Sequence, residues 1–307
     1  MTMSLSPFTL TKTHHHDTYP SISSTNPSLS QSGKSILITG GGTGLGFQIA
    51  RSFAKAGASR IIIVSRRIDV LDAAAAQLQE EFKHSRTKPE FIPCQGDIGN
   101  DASISSLWDF LNSQNIFVHV LVLNAARLAR FEADTLRMDK QELMDLFDTE
   151  VGGNFHMTVK FVNQPLRPVC QQLNLIYVST VIVHMIPAPN QTPYATTKAA
   201  FTSLLGRIAD EHPVEDIQII SYHPGAVYTE GVAKVVQEKS SVRWDEIALP
   251  ADFAVWAASP EASWLHGKFV WAHWDVDELK ADEHIVKRLE AEQGFLRVAV
   301  QGLGGSG

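Results

Sequence analysis

Tyr194 and Lys198 stand four residues apart, and far upstream lies the run Thr39-Gly40-Gly41-Gly42-Thr43-Gly44-Leu45-Gly46. On a helix a four-residue step puts phenol and ammonium on one face. The positive charge would favour the phenolate and draw a tyrosine pKa of about 10 toward neutrality. Such a phenol can take a proton from an alcohol. It can also give one to a carbonyl oxygen as hydride arrives at carbon. The glycine run follows Ile36-Leu37-Ile38 and precedes a stretch with helical spacing. Gly40, Gly44 and Gly46 let a backbone turn tightly and approach a pyrophosphate; Thr43 and Leu45 belong to the same turn. A helix beginning there offers unpaired N–H groups and the positive end of its dipole. Either motif alone is weak, since glycines can make a plain loop and a Tyr–Lys pair can sit on a surface.

Both motifs need elements to position them. From Ser35 onward, strand-like and helix-like segments alternate. The strand candidates are Ser35–Thr39, Arg60–Val64, Glu90–Cys94, Val118–Leu123, Leu173–Val178, Ile217–Tyr222 and Lys268–Ala272. The helix candidates are Leu45–Ala56, Val70–Phe82, Ile104–Leu111, a long Lys140–Val162, Thr192–Ala209 and Phe253–Ala258. Continuous β-branched runs suit strands buried on both faces, and the alternation predicts an α/β fold, a parallel sheet with helices on both sides. Ligands of such sheets bind at the carboxyl ends of the strands.

Those ends carry further candidates. The second strand ends in Ser65-Arg66-Arg67. A carboxylate there would accept from a ribose 2′-hydroxyl; a serine and a guanidinium suit a 2′-phosphate instead, favouring NADP(H) over NAD. Asp97-Ile98 follows the third strand, where a carboxylate can meet an adenine amino group or simply cap a turn. Asn124-Ala125-Ala126 ends the fourth, with small residues that leave room for an adenosine ribose.

The chain has 307 residues, 44% of them apolar, with a formal charge of −7 and two cysteines. That length fits one α/β domain with tails. No basic cluster suggests nucleic acid, and no run suits a membrane span. Two cysteines are too few for a disulfide framework and point to a reducing, cytoplasmic setting. Residues 1–33, rich in Ser, Thr and Pro, read as a flexible extension, with His14-His15-His16 solvated in it; residues 301–307 read as a loose tail. No spacing has the character of a zinc site, so no metal is expected.

Taken together, Thr39-Gly40-x-x-x-Gly44-x-Gly46, Asp97, Asn124-Ala125-Ala126, Ser179-Thr180, Tyr194-x-x-x-Lys198 and Pro224-Gly225 resemble the short-chain dehydrogenase/reductase family over about residues 34–279. The segment Leu249–Leu279 resembles fungal members, many from secondary metabolism. The resemblance implies a single Rossmann-type doubly wound domain over 34–300, an NADP-dependent oxidoreductase activity on a small carbonyl or secondary alcohol, and a homodimer or homotetramer. It gives Lys198 a second task on the nicotinamide ribose and gives Pro224, Gly225, Val227 and Thr229 the nicotinamide. It also implies a serine hydroxyl at the substrate oxygen. Thr180 precedes Tyr194 by 14 residues and holds the expected place, with Ser179, 15 before, as the alternative. Glu150 stands where the family usually has asparagine holding a lysine-linked water, and Asn154 is a partial substitute. Residues 229–250 are placed to form a substrate lid, and Arg127, His184, Met185 and Tyr228 are pocket candidates. The Glu150 departure leaves open a second reading, non-redox biosynthetic chemistry with NADP bound. A non-catalytic NADP-binding protein is the third.

Overall fold

Side chains on a strand alternate between faces, so a strand buried on both must be apolar throughout. Strand β1 (Ser35–Thr39) is an instance: Ile36 and Ile38 join one apolar cluster and Leu37 the other. Strand β2 (Arg60–Ser65) divides likewise, Ile61 and Ile63 from Ile62 and Val64. The computed structural model describes residues 9–127, 134–188, 190–233 and 243–300. Strands β3 (Glu90–Gln95), β4 (Val120–Leu123), β5 (Leu173–Val178), β6 (Ile217–His223) and β7 (Lys268–Trp271) complete a seven-stranded sheet in the order β3-β2-β1-β4-β5-β6-β7. Every pairing is parallel.

Helices α1 (Gly44–Lys55), α2 (Ile68–Phe82), α3 (Asp101–Ser113), α4 (Lys140–Phe147), α5 (Asn154–Val162) and α6 (Thr192–Glu211) make the crossovers. Helices α7 (Glu230–Ala233), α8 (Ala248–Ala257), α9 (Val276–Ala281) and α10 (Glu283–Ala291) follow. The strand order reverses between β1 and β4, and the crevice at that switch point is where a doubly wound sheet takes ligands.

The expected long helix over 140–162 is interrupted. A π-helical turn, Asp148–Gly153, joins α4 to α5. At its end a Cβ on Gly153 would stand 1.8 Å from the Ile98 carbonyl oxygen, so the helix rests directly on the end of the β3 loop and needs glycine there. The Asn154 side chain donates to the Glu150 carbonyl at 2.8 Å, satisfying an acceptor inside the widened turn. Gly153→Ala is therefore expected to lower unfolding free energy by about 3 kcal/mol or more, measured by urea titration.

The expectation of a flexible extension at residues 1–33 fails for the part that is described. Tyr19, Ile22 and Leu29 are buried and share an apolar cluster with Trp271 and Trp274. Polar residues of the segment find carboxylates: Thr18 Oγ1 donates to Asp252 at 2.7 Å, His15 Nε2 meets Asp275 at 2.8 Å and Thr13 N–H donates to Glu278 at 3.1 Å. The Tyr19 hydroxyl donates to the Trp274 carbonyl and accepts from the Val276 N–H, both at 3.0 Å. A sparse apolar set without a period hid this docking from the sequence. Residues 301–307, expected as a loose tail, lie outside the described residues.

Candidate active site

Gly40 and Gly44 adopt φ of 69° and 55°, a left-handed backbone that glycine tolerates. Gly46 is required by proximity: a Cβ there would sit 2.2 Å from the Gly40 carbonyl and 2.6 Å from Asn124 Nδ2. Asn124 donates to the Thr39 carbonyl at 2.9 Å, and Thr39 Oγ1 accepts the N–H groups of Asn124 and Ala125, both at 3.0 Å. The Asn124 side chain thus ties the ends of β1 and β4 together and shapes the glycine turn.

The turn floors a cleft of about 730 Å³, within the range of small-molecule and cofactor sites. Gly40, Thr43, Gly44, Leu45, Gly46, Ser65, Arg66, Arg67, Asp97, Ile98, Asn124, Ala125 and Thr229 all line it, so the expected adenosine and phosphate residues converge. Arg66 is exposed at its rim, and among the described residues no carboxylate pairs with it. Asp97 does part of the turn capping that was its alternative role: one carboxylate oxygen accepts the Gly99 N–H at 3.0 Å.

At the carboxyl end of β5 the two candidate hydroxyls separate. Ser179 is buried, its Oγ 2.7 Å from Thr202 Oγ1. Thr180 Oγ1 accepts the Ile182 N–H at 3.4 Å and lies near enough to the Tyr194 phenol to lower its pKa. The residues after β5 thus send one hydroxyl into the α6 interface and the next toward the tyrosine.

Lys198 follows Tyr194 by one turn of α6 and is only 2% exposed. Its Nζ lies 3.3 Å from Glu150 Oε2, 3.3 Å from the Val178 carbonyl and 4.8 Å from the centre of the Tyr177 ring. The other Glu150 oxygen accepts the Arg127 N–H. Glu150 is fully buried, placed at Lys198 by the π-helical turn. The arrangement is a direct buried ion pair, with the carboxylate at the ammonium itself.

Charge balance follows. Burial alone would lower the Lys198 ammonium, but Tyr177, Glu150 and Tyr194 together hold it above its ordinary value. Burial pushes the Tyr177 phenol up. Tyr194 itself lies above the ordinary tyrosine value. Burial raises it first, Lys198 pulls it down, Glu150 raises it again, and the nearby Thr180 lowers it. Desolvation of the phenol outweighs the lysine, and Glu150 offsets part of the lysine charge, so the phenol lies above its ordinary value.

The loop after β6 carries Pro224, Gly225, Val227 and Thr229. Val227 is bridged to Asp245, and Thr229 Oγ1 accepts the Val232 N–H at 3.3 Å. Of the proposed lid, residues 234–242 lie outside the described residues. Of the pocket candidates, Tyr228 packs edge-on against Trp244 at 5.0 Å, while His184 Nε2 accepts from Trp271 Nε1 at 3.2 Å. His184 therefore belongs to the packing against β7.

Comparison with known proteins decides the family. The short chain dehydrogenase family model matches residues 34–240. The chain belongs to the short-chain dehydrogenase family. It is 37% identical to short chain dehydrogenase/reductase nsrO of Aspergillus novofumigatus over 273 residues, covering 88% of this chain and 90% of that one. It is 33% identical to short chain dehydrogenase/reductase AacuD of Aspergillus aculeatus, covering 94% and 96%. Among solved structures, a 7α-hydroxysteroid dehydrogenase complexed with NADH and 7-oxo glycochenodeoxycholic acid matches with TM-score 0.69 at 24% identity, covering 80% and 95%. Pseudomonas aeruginosa RhlG in complex with NADP matches with TM-score 0.71 at 19% identity, covering 80% and 96%. These two likenesses speak for the fold. As a short-chain dehydrogenase, the chain is an oxidoreductase built on a nicotinamide-binding fold. No helix among the described residues is long and apolar enough to cross a membrane.

Three features of this short-chain dehydrogenase were not legible beforehand. The Arg127 amide holds Glu150, a backbone contact that no side-chain pattern records. Tyr177 lies under Lys198 but reads in sequence as one more apolar residue of β5. His16, Asp245 and His273 converge although no ligand spacing connects them.

Proposed function

We propose that this short-chain dehydrogenase transfers hydride from NADPH to the carbonyl of a small organic molecule, of the kind made in fungal secondary metabolism. Tyr194 is the general acid, Lys198 its charge partner, Thr180 the hydroxyl that steadies the developing oxyanion, and Glu150 the group that sets the lysine charge. The observation that carries this reading is the buried Lys198–Glu150 ion pair one helical turn from Tyr194, with Thr180 near the phenol. A phenol held above its ordinary pKa is protonated at rest and suits donation to a carbonyl oxygen. Oxidation would draw on the positive ring of NADP⁺ to bring that pKa down.

NADP(H) is favoured over NAD(H) by Ser65 and Arg66 at the cleft rim, where a 2′-phosphate would find a hydroxyl and an unpaired guanidinium. Arg67 begins α2 beside them. The nicotinamide falls to Pro224, Gly225, Val227 and Thr229. A cytoplasmic location and assembly into a homodimer or homotetramer complete the reading; Phe155 and Val159, 44% and 38% exposed one turn apart on α5, offer apolar surface for a second copy.

The test is stoichiometry. Purified enzyme is incubated with NADPH and a panel of ketones, aldehydes and quinones. One NADPH consumed per alcohol formed supports hydride transfer. A product formed with NADPH unchanged would favour the second reading, non-redox dehydration, isomerisation or cyclisation by a protonated Tyr194.

A further inference from the structure

His14, His15 and His16 enter none of the chemistry above, yet the chain holds them in place. The His15 N–H donates to the His273 carbonyl and the Glu246 N–H to the His16 carbonyl, both at 2.8 Å. These bonds bring His16 Nδ1 onto one oxygen of Asp245. The other Asp245 oxygen meets His273 Nε2 at 2.9 Å and accepts the Ala226 N–H at 2.7 Å. The Asp245 and His273 side chains are each 2% exposed and that of His16 27%. Their ligand atoms lie within 4.8 Å of one another. His14 stacks on His273 with centroids 4.5 Å apart, and its buried Nδ1 has no partner.

Two imidazoles and a carboxylate, brought from residues 16, 245 and 273, make a donor set that zinc-class divalent metals use. The carboxylate is itself oriented by a backbone amide, as metal-ligating carboxylates commonly are. A surface His–Asp pair would lack this convergence on one buried carboxylate.

We propose that His16, Asp245 and His273 bind a divalent transition metal of the zinc class, which clasps the N-terminal segment onto the loop after β6. Binding uses the lone pairs of His16 Nδ1 and His273 Nε2, so each ring keeps its proton on the other nitrogen, and the carboxylate gives up two hydrogen bonds for one metal bond. Asp245 N–H also donates to the Ala226 carbonyl at 2.8 Å, so the metal stiffens residues 224–227 through the chain it holds.

The test uses the full chain without an affinity tag, stripped by chelator and titrated with Co²⁺, whose visible bands report tetrahedral nitrogen and oxygen ligands. One equivalent should bind, be displaced by Zn²⁺, and slow proteolysis of residues 9–24. Loss of one ligand should weaken binding beyond the roughly 10–100-fold seen when an outer-shell partner is removed. His16→Ala is the primary variant because its side chain is partly exposed; His273→Ala is the second, with circular dichroism confirming that each folds. Absence of stoichiometric Co²⁺ binding by the wild type would overturn the proposal. So would equal binding in both variants, which would place the metal elsewhere.

Discussion

Tyr194→Phe should lower kcat for carbonyl reduction by roughly 10²–10⁴-fold, the range for loss of a positioned general acid. Cofactor affinity should fall far less, because one hydroxyl is lost from a cleft lined by many groups. The neighbouring hydroxyls sharpen the result. Thr180 lies near the phenol, whereas Ser179 Oγ is 2.7 Å from Thr202 Oγ1. Thr180→Ala should therefore cost roughly 10²–10³-fold in kcat, as for one oxyanion donor, while Ser179→Ala keeps most activity and loses a little stability. Stopped-flow hydride transfer with a saturating substrate separates these terms. Equal losses in Ser179→Ala and Thr180→Ala would show that the two hydroxyls act together.

Glu150→Gln should affect stability and proton chemistry in distinct ways. Removing one partner of a buried ion pair leaves the other uncompensated, at a cost of about 3–5 kcal/mol. Lys198 keeps the Val178 carbonyl, so the lower end is expected, a fall in Tm on the order of 10 °C. The pH effect has a definite sign. The Glu150 carboxylate favours the protonated phenol of Tyr194, while Lys198 favours the phenolate. Without the carboxylate the lysine acts unopposed and the Tyr194 pKa falls. The basic form then appears at lower pH, and the rising limb of the alcohol-oxidation profile moves down. A limb that stays in place, in a variant that still folds, would show that Glu150 positions Lys198 without setting the phenol's charge.

Much of this was legible because the chemistry needs backbone exceptions that few residues permit. Positive φ at Gly40 and Gly44, and the missing Cβ at Gly46, leave marks in sequence. Doubly buried strands do so as well, since β1 and β2 must be apolar on both faces. The parallel sheet with helices on both faces followed from the alternation of strand and helix. Other features depended on contacts between distant residues. The π-helical turn at Asp148–Gly153 and the close approach of Gly153 to the Ile98 carbonyl are not revealed by helical periodicity over 140–162. The N-terminal segment looked polar and loose because its Ser, Thr and His partners are carboxylates of residues 245–278, far along the chain. Ser179 and Thr180, one residue apart, differ in what their hydroxyls meet, which the sequence alone does not show.

The central claim, a short-chain dehydrogenase built for NADPH, is tested most directly by fluorescence titration of NADPH and NADH against wild type and Arg66→Ala. A guanidinium–phosphate bond at the rim of the cleft is a charge-assisted contact worth about 1.5–3 kcal/mol. Wild type should bind NADPH more tightly than NADH. Arg66→Ala should bind NADPH roughly 10–100-fold more weakly, with NADH affinity unchanged. Equal affinity for both cofactors in the wild type, or an NADPH preference that survives the substitution, would contradict the account.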